Sequence, residues 1–112
     1  MATPGSGFQF EVEESKDELS NAVTTIRCHG RLVSDTAGQL KELVKPVIAA
    51  GHGRILIDLG DVQHLDSSGL GTLVGLKASA ISAGYCRLEL VNLTSRIADL
   101  LRITKLTQLF AS

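Results

Sequence analysis

The apolar run Ile55-Leu56-Ile57-Asp58-Leu59 does most to limit what this chain can become. Its leading residues do not alternate with polar ones, the pattern of a central strand covered on both faces. After Val62 and Leu65 comes Asp66-Ser67-Ser68-Gly69-Leu70-Gly71, and beyond it a small-residue segment that reads as helix to about Gly84. A strand thus hands over to a helix through a turn carrying one carboxylate and two hydroxyls. The first N–H groups of a helix lack intrahelical partners, so added negative charge is favourable beside the two serines.

The rest of the chain fits around that unit. Its 112 residues suffice for one domain with one core. Residues 1–7, with Pro4, Gly5 and Gly7, read as a flexible tail, and 8–112 as the domain. Phe8, Phe10 and Val12 alternate with polar residues, as in a half-buried strand. A polar turn over 16–21 leads to a β-rich segment, Ala22 to His29, that stops at Gly30 and forms a hairpin. Ser34, Asp35 and Thr36 offer N-caps to a helix carrying Leu40, Leu43, Val44 and Val47 on one face. Pro46 should bend that helix, since an interior proline costs about 3 kcal/mol, and the segment should end near Gly51-His52-Gly53.

Cys86 to Val91 is a strand with Leu88 and Leu90 on one face. Thr94 can cap a last helix bearing Ile97, Leu100 and Leu101, and Thr107-Gln108-Leu109-Phe110 offers a short edge strand. The order β-β-α-β-α-β-α(-β) predicts an α/β fold. Its mixed sheet has later strands that are parallel and joined by helical crossovers.

Composition excludes several functions. Lys and Arg number 11 against 12 Asp and Glu, with no run of like charge, which disfavours nucleic acid as a partner. No apolar run approaches a membrane span, and no signal-peptide pattern opens the chain, so direct membrane insertion is not expected. Cys28 and Cys86 stand apart, as in a reduced cytoplasmic protein with two buried thiols. His29, His52 and His64 lack metal spacing and read as solvated or core-edge residues, so no metal or cofactor is called for.

Helix capping alone would explain Asp66 and its neighbours. The helix that follows points further. Leu70, Leu73, Val74, Leu76, Ala80 and Ile81 share one broad face, and Thr72, Gly75, Ser79 and Ser82 occupy the other without a single charge. An uncharged small-residue face suits contact with another protein better than contact with water. Lys77 falls inside the apolar arc, its stem expected to snorkel to solvent. Enzymatic motifs do not fit. The third glycine of Gly69-Leu70-Gly71-Thr72-Leu73-Val74-Gly75 is misplaced for a dinucleotide fingerprint, and there is no Walker lysine. Nor does Ser67 sit in a nucleophile elbow.

On these residues the chain resembles the STAS family, specifically the stand-alone bacterial anti-sigma factor antagonists. The likeness rests on Ile55-Leu56-Ile57-Asp58-Leu59 leading into Asp66-Ser67-Ser68-Gly69-Leu70-Gly71, with support from Gly30-Arg31-Leu32 and the last helix. The resemblance implies a single STAS domain with no catalytic activity. It would bind an anti-sigma factor that is also a serine kinase, and so free the sigma factor. It further implies phosphorylation on Ser67, directly after the motif aspartate, and reset by a metal-dependent serine phosphatase.

The partner surface it suggests takes Arg31, Val33, Ser34, Asp35 and Thr36 from one loop. His64, Asp66, Ser67, Ser68 and Gly69 come from the next, and Thr72, Gly75 and Ser79 from the helix. Ser68 is expected to cap the helix or pack inward. A second reading is a STAS subunit of a membrane lipid-transport complex, binding an ATPase without phosphorylation. Val33 departs from the family, which usually has Asp there, and the sequence ends at Ser112, before the further strand and helix that many members carry.

Overall fold

In a computed structural model that describes residues 8–50, 53–84 and 86–111, the chain forms four strands and four helices. The expected tail and His52 lie outside the described residues. Strands β1 (Phe8–Lys16) and β2 (Ala22–Leu32) form the antiparallel hairpin, with Phe10 opposite Cys28 and Val12 opposite Ile26. Asp17 closes the turn by accepting from the backbone N–H groups of Leu19 and Asn21, each at 2.9 Å. Strand β2 does not stop at Gly30. That glycine takes φ 99°, the register shifts between it and Arg31, and the strand continues to the fully buried Leu32. A bulge with glycine at positive φ re-aims a strand without ending it.

Helix α1 (Ser34–Ala49) leads to β3 (Gly53–Leu65), and α2 (Ser67–Ala83) to β4 (Cys86–Val91). Both crossovers join parallel neighbours, giving the order β1-β2-β3-β4. Val33, rather than Ser34, Asp35 or Thr36, is the N-cap residue of α1. Its N–H donates to Thr36 Oγ1 at 3.0 Å, and the Thr36 hydroxyl donates to the Arg31 carbonyl at 2.6 Å. The helix runs through Pro46 to Ala49. Pro46 and Glu42, whose carbonyl loses its usual donor, both lie on the exposed side, where water can satisfy that oxygen.

The core lies between the sheet and α1 and α2. Ile26, Cys28, Ile55, Ile57, Leu59 and Leu88 meet Leu40, Val44, Leu73, Leu76 and Ala80 there. Strand β3 alternates after all: Leu56 and Asp58 are only half-buried on the opposite face. Ion pairs occupy that face instead of a second helical layer. Arg27 meets Glu13 at 3.1 Å and Arg54 meets Glu89 at 2.8 Å, while His29 bridges Glu11 and Asp61 at 2.7 and 2.6 Å.

Helix α2 buries Leu73, Leu76 and Ala80 as expected, but Ile81 is 57% exposed. Lys77 does not snorkel. It is buried, and its Nζ donates to the Leu88 carbonyl at 2.7 Å. Helix α3 (Ser95–Ile103) has the expected Thr94 cap, whose Oγ1 accepts from Ile97 N–H at 3.2 Å. The last segment is helix α4 (Thr107–Ala111) and not an edge strand. Leu106, Leu109 and Phe110 recur at helical spacing and pack against the core.

Candidate functional site

Both crossover helices begin at the same end of the parallel strands, which is where open α/β sheets place their binding loops. Asp66 ties the two starts together. Its Oδ1 accepts from Gly69 N–H at 2.9 Å, capping α2, and its Oδ2 accepts from Ser34 N–H at 3.3 Å at the start of α1. Its own N–H donates to the Leu32 carbonyl at 3.4 Å. The α2 start lies so close to β2 that a Cβ on Gly69 would stand 2.1 Å from the Leu32 carbonyl oxygen. Glycine is required there by the contact with backbone, not by its own dihedral angles.

Ser67 and Ser68 are exposed at the head of this assembly. Among the described residues the Ser67 hydroxyl has no hydrogen-bond partner. Ser68 neither caps nor packs inward, because Asp66 already supplies the cap. It lines a groove of about 380 Å³ between α1 and α2, with Lys41, Lys45, Gly71, Thr72, Gly75, Leu76 and Ser79. The floor is open at Gly71 and Gly75, where an added Cβ would meet nothing within 4 Å. A smaller cleft of about 200 Å³ lies beside Asp66, lined by Val33, His64, Leu65 and Arg96.

Most of the residues read from the sequence therefore gather at one end of the sheet. Arg31, Ser34, Asp35, His64, Asp66, Ser67, Ser68, Gly75 and Ser79 are exposed, and Val33 and Thr72 half-buried. Thr36 and Gly69 are buried and support the loops from behind. Lys41, Lys45 and Arg96 also line the surface and were not among the residues read from the sequence. Lys41 and Lys45 become visible only once α1 is known to lie alongside α2. Arg96 gave a local signal: a cation in the first turn of a helix opposes the helix dipole.

Away from this end, the two free thiols are buried. Burial, with a smaller contribution from Asp58, pushes the Cys28 thiol up to about 12. Burial also raises Cys86, against the opposing effect of the Lys77 ammonium. Among the described residues no cluster of His, Cys, Asp and Glu could hold a metal ion, and no helix is long and apolar enough to cross a membrane.

A mixed sheet with crossover helices and an exposed loop at its strand ends defines a small α/β domain. More specifically, the chain belongs to the STAS domain family: the family model described as "Mlab, STAS domain" matches residues 15–111. An anti-sigma-B factor antagonist of Staphylococcus aureus is 31% identical over 84 residues, spanning 75% of this chain and 77% of the relative. The solved structure of the anti-sigma factor antagonist SpoIIAA in its unphosphorylated form superposes with a TM-score of 0.70 at 19% identity, over 89% of this chain and 84% of that one. The Bacillus cell fate determinant SpoIIAA in its phosphorylated form gives 0.69 at 20% identity, over 89% and 86%. At that identity the two structures establish the shared fold.

Proposed function

We propose that this chain is an anti-sigma factor antagonist. It binds an anti-sigma factor that is also a serine kinase, frees the sigma factor, and is switched off by phosphorylation of Ser67. The observation that carries the reading is the exposed, unbonded Ser67 hydroxyl at the first position of α2, next to an Asp66 already committed to two backbone N–H groups. The curated relative's name and the existence of a phosphorylated form of SpoIIAA support it.

The chain itself supplies no catalysis. The kinase would transfer phosphate from its own ATP: a bond forms between Ser67 Oγ and the γ-phosphorus, the bond to the β–γ bridging oxygen breaks, and ADP leaves. The serine's proton passes to a kinase base. A serine phosphatase would reverse the change by hydrolysis, and both encounters would take place in the cytoplasm.

One group has opposite effects on fold and interface. Phosphate adds about −1.5 to −2 charges beside the starts of two helices, where the dipoles favour it by about 0.3–1 kcal/mol. The domain should stay folded. Pressed against a partner, the same charge must shed its hydration beside Asp66. A penalty of about 3 kcal/mol would weaken binding more than a hundredfold.

Incubation with ATP and the kinase-type anti-sigma factor of the same cell, followed by phosphopeptide mass spectrometry, tests the assignment. A label on Ser67 supports it. A label confined to Ser68, or none, overturns it; the latter, with retained binding to a transport ATPase, would mark the chain as the transport-complex subunit.

A further inference from the structure

Strands β2 and β3 lose their even register just before they deliver the two loops. Arg27 stands opposite Asp58 and His29 opposite Asp61, so β3 carries an extra residue there. A second shift follows between Gly30 and Arg31, which face Val62 and His64. Each bulge interrupts the backbone ladder and leaves a residue unpaired. Between the two irregularities stand the pairs His29–Asp61 and Gly30–Val62. Beyond them come Arg31 with His64 and Leu32 with Leu65, from which the loops depart.

A side-chain bridge crosses the sheet at that point. His29 Nδ1 lies 2.6 Å from Asp61 and Nε2 lies 2.7 Å from Glu11, so the ring joins β1, β2 and β3. Only the imidazolium has an N–H for each carboxylate. The charged neighbours of the bridge are committed elsewhere. Glu13 of β1 pairs with Arg27 of β2 at 3.1 Å, and Asp58 of β3 accepts from Asn92 Nδ2 and Gly60 N–H at 2.8 and 2.9 Å. When His29 loses its proton, one carboxylate loses its donor and faces a nitrogen lone pair. The bridge then opens at one end, beside the stretch that the ladder secures least.

We infer that the Glu11–His29–Asp61 bridge is a proton-operated clasp on the partner platform. Closed with the imidazolium, it fixes the ends of β2 and β3; opened, it loosens the Asp66 contacts built on them. Those contacts are Asp66 N–H to the Leu32 carbonyl at 3.4 Å and Ser34 N–H to Asp66 Oδ2 at 3.3 Å. Both lie beyond the usual range of about 2.7–3.2 Å, so little displacement breaks them. Docking is therefore favoured by acid and weakened as pH rises. In taking the docked partner to be an anti-sigma factor this rests on the antagonist reading; the clasp itself does not.

The test follows the full isotope-labelled chain by NMR from about pH 5.5 to about pH 8.5, which brackets histidine titration. It reads the His29 ring and the amide protection of Ser34 and Asp66. Protection, corrected for intrinsic exchange, should fall about fivefold, the worth of one hydrogen bond, with the midpoint of the His29 ring. H64Q should leave this response intact, which separates it from the titration of His64 in the second loop. H29Q should abolish it. D61N keeps an acceptor but removes the charge, so it should lower the His29 midpoint and carry the amide midpoint down with it. Between about pH 6 and about pH 8, calorimetric affinity for the kinase-type anti-sigma factor should fall about fivefold further for the native chain than for H29Q. An amide midpoint that ignores D61N, a response that survives in H29Q, or one that vanishes in H64Q would overturn the clasp. Equal pH dependence of binding for native and H29Q chains would overturn its control of docking. Labelling of Ser67 with failure of these tests refutes the clasp alone. An intact amide response without labelling or binding refutes the antagonist reading alone.

Discussion

Asp66 Oδ2 accepts from the Ser34 N–H at 3.3 Å, so the carboxylate that caps α2 also holds the start of α1. The two residues lie 32 positions apart in sequence, and their contact makes one rigid platform of two loops. Asp66→Ala should therefore cost more than an isolated cap. About 2 kcal/mol is expected, the upper end for loss of an N-cap side chain, and urea denaturation measures it. Hydrogen exchange should rise at both Ser34 and Gly69. A rise at Gly69 alone would mean that the link to α1 is idle.

The glycines of α2 should separate stability from binding. Gly69→Ala drives a Cβ into the Leu32 backbone and should destabilise by about 3 kcal/mol. Gly75→Ala meets open space and should stabilise by up to about 1 kcal/mol through helix propensity. Its methyl group would nevertheless intrude on the α1–α2 groove and weaken partner binding. A variant that is more stable yet binds less well is the outcome to look for in paired thermal and calorimetric measurements.

His29 links three strands, and its link depends on charge. Hydrogen bonds to Asp61 and then to Glu11 raise its pKa above the ordinary 6.5. The imidazolium has two N–H groups for these two carboxylates, whereas the neutral ring has one. Glu13 and Arg27 pair with each other beside it, and Asp58 bonds to Asn92 and Gly60. Because the folded pKa exceeds the unfolded one, the stabilisation is fully present below pH 6.5 and is lost as pH rises through the folded value. Stability should fall across neutral pH in the native chain and fall less in His29→Gln. Identical pH profiles for the two would contradict this.

The buried thiols should resist modification. With Cys28 pushed up to about 12 and Cys86 also raised, the thiolate fraction is small and access poor. A colourimetric disulfide reagent at about pH 8 should label neither in the folded chain and both in denaturant. Rapid native labelling of Cys86 would show that β4 opens.

Much of this site could be read from residues alone because its signals are local. Asp66 and Thr94 announced their helices through capping chemistry, and Gly84 marked the stop of α2. What escaped depends on neighbours that lie far off in sequence. Ile55-Leu56-Ile57 looked buried on both faces, yet Leu56 shares its face with a layer of ion pairs whose members come from all four strands. Lys77 was placed correctly on the apolar arc, but its acceptor is a carbonyl on β4. Thr107-Gln108-Leu109-Phe110 is too short for periodicity to decide between strand and helix. The core contacts of Leu109 and Phe110 settle it.

The most direct measurement is calorimetric titration of the kinase-type anti-sigma factor with Ser67→Ala, Ser67→Asp and the Ser67-phosphorylated chain. Tight binding by the alanine variant, binding weakened about a hundredfold or more for the phosphorylated chain, weaker binding by the aspartate variant than by alanine, and folded spectra for all three are predicted. Equal affinities across the three would contradict a switch at Ser67.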